Sequence, residues 1–204
     1  MSLFCFFWVP LFYLFWRSVA SGGSSGWAWA LLMGSMVGIV KFFNVQLVDP
    51  GGFGFSRWAS GFVDIIVLPA LAPLLVYLLF FFLKIVTDAA NFASFALIWL
   101  IPVAAVRAVA WSAQGDPVLL ILVPILWTAI AVGIPFFITL IMTFSRPGLI
   151  ALFSFAILCI PVSAATSYWA FFSHRAPLGF LFLFIATAPM IVSVVLSSIR
   201  SESG

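Results

Sequence analysis

The 204-residue chain carries 8 Lys+Arg, 5 Asp+Glu and one His, a net charge of +3, with 66% of its residues hydrophobic and 6% charged. A soluble domain of this length has roughly a quarter of its residues charged, so no water-facing surface can be built from this supply, and mean hydropathy is +1.33. That excludes a nucleotide-binding fold, a ligand-capturing ectodomain or a soluble catalytic domain within these residues. The basic residues are scattered singly, which excludes a nucleic-acid-binding stripe.

A helix crosses a bilayer core of about 30 Å with ~20 residues. Apolar runs of that length predict an all-α fold: a polytopic, multi-pass integral membrane helix bundle of about seven transmembrane helices, residues 1–204 forming a single transmembrane domain. Six spans plus an interfacial segment is the alternative. The runs are continuously apolar rather than alternating in polarity, which argues against a β-barrel.

The first run is Leu3–Ala20. Arg17 follows its apolar part and no basic segment precedes it, so a retained helix is expected rather than a cleaved signal peptide. Residues Ser21–Gly26, rich in Gly and Ser, read as a flexible turn. The second span, Trp27–Phe43, holds Gly34 and Gly38 in a GxxxG arrangement, where small residues four apart let another helix approach closely. Packing within the same chain is the simpler outcome; dimerisation is the other.

Asn44–Ser60 is the longest segment outside the spans. Asp49-Pro50-Gly51-Gly52 reads as a tight turn. Phe53, Phe55, Trp58 and Phe62 then recur near helical spacing, which predicts an interfacial helix over 53–62 with Arg57 among headgroups. The third span runs from Gly61 to Val86. Pro69 and Pro73 remove two backbone donors four residues apart, so this helix is expected to be kinked or broken. The remaining spans are 92–111 with Pro102, 118–144 with Pro124 and Pro135, 148–172 with Pro161, and 178–199 with Pro189.

Ile101-Pro102-Val103-Ala104-Ala105 echoes Ile160-Pro161-Val162-Ser163-Ala164, which suggests a parallel repeat of helix pairs over 61–115 and 118–176. Orientation is not encoded in charge. Seven spans put Lys41, Arg57, Arg107 and Arg175 on one side, and Arg17, Lys84, Arg146 and Arg200 on the other.

No catalytic set can be assembled. There is one histidine, His174. Cys5 and Cys159 lie in apolar runs without a CxxC, and Asp64 and Asp88 fall at opposite ends of one span. No metal site and no cofactor is expected. Most basic residues sit within a turn of a helix C-terminus, where they snorkel and meet the negative dipole end. Arg107 lies further inside its span, where a cation is costly unless it reaches headgroups, water or an acid. Asp64 precedes the Pro69/Pro73 break and either caps its helix or faces an aqueous vestibule. Broken helices near the midplane form transporter sites, so Asp64, Pro69, Pro73, Tyr77, Arg107 and Thr128 are the expected lining of a substrate or ion pathway.

Trp16, Trp27, Trp29, Trp58, Trp111 and Trp169 fall near span ends, as an aromatic belt requires. Trp99 and Trp127 fall inside spans. Two functions follow. One is a transport protein, or a transporter's membrane subunit, for a small solute or ion. The other is a non-catalytic subunit of a larger membrane complex. Expected partners are the lipid bilayer and other membrane subunits or further copies of the chain. A membrane enzyme is disfavoured by the missing acid/base set.

Overall fold

A computed structural model of the chain describes residues 2–20, 26–44, 58–59, 62–86, 91–112, 117–143 and 145–202. Seven helices form a bundle among them, and no strand is present among the described residues. α1 spans Ser2–Ala20 and α2 spans Trp27–Asn44. α3 joins a π-helical stretch, Phe62–Leu71, to an α-helix, Ala72–Phe82. α4 is Phe92–Ser112, α5 Pro117–Thr143, α6 Pro147–Phe172 and α7 Ala176–Glu202.

Five of these helices, α1 and α4 to α7, are long and apolar enough to cross a membrane. The apolar stretches of α2 and α3, Trp27–Val40 and Ile66–Phe82, are shorter. The segment Asp49-Pro50-Gly51-Gly52, most of the 53–62 interfacial helix, residues 21–25 and Asp88 lie outside the described residues. Of the interfacial set, Trp58 and Phe62 are described. Their rings stack at 5.2 Å, as residues four apart on a helix can.

α4 and α5 are the centre of the bundle. Their apolar windows are each 72% buried, against 17% for α1, 28% for α6 and 22% for α7. α1 and α2 pack on α4, and α6 and α7 pack on α5. The outer helices turn Leu11, Phe155 and Phe184 outward among many large apolar side chains. In water such a surface would aggregate; against lipid it needs no cover.

The packing contacts fix direction. Gly34 lies against Trp99 and Pro102, and Gly38 against Pro102 and Val106, so α2 runs parallel to α4. The Cys5 thiol reaches the Ala104 carbonyl at 3.8 Å, while Arg17 shares a cleft with Ile98 and Ile101, so α1 is antiparallel to α4. The end of the bundle where α1 begins is called the near end below, and the opposite one the far end.

α3 is helical throughout Phe62–Phe82, and in place of an open break it changes from π to α form between its two prolines. Pro69 falls inside the π-helical turns. Pro73 is the second residue of the α-helical half. Both prolines are buried.

Two helices close in the same way. At the end of α3, Ile85 N–H donates to Phe80 C=O at 2.9 Å and Lys84 N–H to Phe81 C=O at 3.0 Å. At the end of α6, Arg175 N–H donates to Ala170 C=O at 2.8 Å and His174 N–H to Phe171 C=O at 3.1 Å. These are Schellman closures. The left-handed position, φ 58° and 57°, is held by Lys84 and His174 rather than glycine.

Candidate functional site

The residues expected to line a pathway occupy three levels of the bundle. Arg107 lies on α4 toward the near end and is 5% exposed. Cys5 of α1 and Tyr168 of α6 are within electrostatic reach of its guanidinium, so three helices converge on this buried cation. Asp64 lies in the π-helical half of α3; its side chain is outside the described set. Sequence alone singled out Arg107 but neither neighbour. Cys5 reads as an ordinary buried thiol, and Tyr168 sits 61 positions along the chain in an apolar run.

Thr128, on α5, is fully buried. Its hydroxyl donates to carbonyls of its own helix, Ile125 at 2.9 Å or Pro124 at 3.1 Å. The same oxygen accepts the indole N–H of Trp8 at 3.2 Å. Other helix hydroxyls are satisfied similarly. Ser35 donates to Leu31 C=O, Thr139 to Pro135, Thr166 to Val162, Thr187 to Leu183 and Ser193 to Met190, all at 2.7–2.9 Å. Such back-bonding hides a hydroxyl from lipid without another partner. Ser167 instead reaches across helices to the Gly179 carbonyl at 2.9 Å, tying α6 to the start of α7.

Tyr77 is fully buried and meets Phe92 edge-on at 4.4 Å and Phe95 at 5.1 Å. It anchors α3 to α4 as an aromatic cluster. Trp127 and Trp99 are also buried in protein. Trp16 turns inward as well, whereas Trp27 and Trp29 face outward, as belt residues do.

Two cavities stand out. One, of about 380 Å³, opens between α1, α2 and α4 and is lined by Tyr13, Arg17, Trp27, Leu31, Ile98 and Ile101. The second, also about 380 Å³, is an apolar recess between α5, α6 and α7, with Phe137, Cys159, Phe184 and Pro189 in its walls. Of the described side chains expected to line a pathway, Tyr77, Arg107 and Thr128 line neither.

Gly34 and Gly38 pack against α4 of the same chain. A methyl group at Gly34 would collide with the Trp99 carbonyl oxygen, and one at Gly38 would meet Val106 Cγ2 at 3.2 Å. Among the described residues no three His, Cys, Asp or Glu side chains group as a metal site needs. Cys5 and Cys159 are free thiols. No family model matches the chain, and no curated protein or solved structure is significantly similar to it.

Proposed function

We propose that this chain is a non-catalytic subunit of a larger membrane assembly, a helix bundle that acts through its surfaces rather than through a passage in its middle. The observation that carries the reading is the fate of Thr128. It is a fully buried polar side chain on a central helix, yet its oxygen is engaged by Trp8 and by its own helix. A solute site needs polar groups that are held in place and still open to the ligand. The two cavities add weight, because Tyr77, Arg107 and Thr128 line neither of them.

A transport protein for a small solute or ion is the second reading, and Arg107 favours it. A buried arginine in a membrane helix is expensive and commonly marks a pathway. The Cys5 thiol beside it is engaged in packing, donating to the Ala104 carbonyl at 3.8 Å and so joining α1 to α4.

Flux measurements separate the two. The purified chain is placed in liposomes, and proton, potassium and chloride movement is compared with empty liposomes. The subunit reading expects no flux above the empty-liposome level. Flux that is lost in Arg107→Gln would replace it with the transport reading.

A further inference from the structure

We infer that the cleft between α1, α2 and α4 binds the phosphate headgroup of an anionic membrane lipid. Its walls come as three helical pairs. Tyr13 and Arg17 are four apart on α1, Trp27 and Leu31 four apart on α2, and Ile98 and Ile101 three apart on α4. Each pair therefore presents one face of its helix to the same space.

The chemistry is graded along the cleft. Arg17 lies in the last turn of α1 and Trp27 is the first residue of α2, so both mark the far end of the bundle, at headgroup depth. Arg17 is exposed, and a guanidinium can take two oxygens of a phosphate at once. The Tyr13 hydroxyl supplies a donor one turn deeper. Leu31, Ile98 and Ile101 complete the cleft with aliphatic surface. A charged rim leading into an apolar floor fits an amphiphile, with phosphate at Arg17 and the first acyl methylenes against the isoleucines. Inorganic phosphate would satisfy the rim alone. At about 380 Å³ the cleft has the size of an ordinary small-molecule site.

This proposal is independent of whether the chain transports anything. The test uses the full chain, extracted in mild detergent, incubated with vesicles of phosphatidylcholine with or without phosphatidylglycerol, and read by native mass spectrometry for retained lipid. The wild type should retain phosphatidylglycerol in preference to phosphatidylcholine. Arg17→Gln should lower that retention about tenfold, the loss of one charge-assisted contact. Arg146→Gln, which removes another exposed cation at the same end, should leave it unchanged. Leu31→Trp, which fills the floor and spares the charge, should lower retention too, so the proposal does not hang on one variant. Added inorganic phosphate should not displace the lipid. Equal losses in Arg17→Gln and Arg146→Gln, no preference for the anionic lipid, full retention in Leu31→Trp, or displacement by phosphate alone would each overturn it.

Discussion

The indole N–H of Trp8 donates to the Thr128 hydroxyl oxygen at 3.2 Å, joining residues 120 positions apart on α1 and α5. Trp8 is itself flanked by Phe4 at 5.0 Å and Phe12 at 6.0 Å, which fixes its ring along the α1 face. The pair is a structural clasp between an outer helix and the central one. Thr128→Val keeps the shape and removes the acceptor, so it should destabilise the fold by about 1 kcal/mol. Trp8→Phe should cost more, since it also removes ring contacts. The double variant should be less destabilised than the sum by roughly 0.5–1.5 kcal/mol, the usual range for interhelical bonds in membranes. Reversible unfolding in mixed micelles reads all three. Strict additivity would mean the clasp carries no energy.

Gly34 and Gly38 differ in what lies opposite them. The backbone carbonyl of Trp99 blocks a side chain at Gly34 and cannot move without moving α4. At Gly38 the obstacle is a valine methyl, which can rotate away. Gly34→Ala is therefore expected to cost about 1–3 kcal/mol, the range for overpacking. Gly38→Ala should lie near neutral, because the gain in helix propensity offsets a small shift. The same unfolding assay ranks them, and the reverse order would contradict the packing described.

Lys84 and His174 occupy left-handed positions that glycine fills without strain. His174→Gly should stabilise the protein by about 0.5–1 kcal/mol. His174→Val should destabilise it by more than the glycine variant gains, because a β-branched residue is poorly tolerated there. A lone histidine looks like a chemical group in the sequence; here it closes a helix. Unchanged stability in both variants would argue that the closure frays in the membrane.

Thiol labelling separates the two cysteines. Cys5 is fully buried beneath α4 and meets the Ala104 carbonyl. Cys159 is half-buried and lines the apolar recess on the outer face. A small, membrane-permeable organomercurial, which binds a thiol without needing it ionised beforehand, should modify Cys159 in the folded protein and reach Cys5 only after denaturation. Mass spectrometry of the labelled peptides reads this directly, and rapid labelling of Cys5 would show that α1 is not seated against α4.

The sequence carried the bundle because runs such as 120–142 are too long and too apolar for any other solvent. It pointed to Pro69 and Pro73 as an irregular stretch, since a missing N–H has a local consequence. It could not show that the stretch stays helical in π form from Phe62 to Leu71, because that depends on what the wider turn packs against. Long-range pairs were equally hidden. Nothing near Trp8 points to Thr128, and nothing near Arg107 points to Cys5 or Tyr168. In a chain that is 66% hydrophobic, apolar periodicity is nearly flat, so the inward turn of Trp16 and the outward turn of Trp27 have no local signature. The lipid cleft was invisible for the same reason: Arg17 reads as one more snorkelling cation until α2 and α4 complete the walls around it.

If the chain works as one part of an assembly, its neighbours should come with it, and native mass measured straight from the membrane is the decisive experiment. The tagged protein is released in mild detergent, without any step that strips neighbours, and its mass is read intact. Stoichiometric association with other membrane proteins is the predicted result. A clean monomer, or an oligomer of this chain alone, would contradict it and return the function to an autonomous channel or carrier.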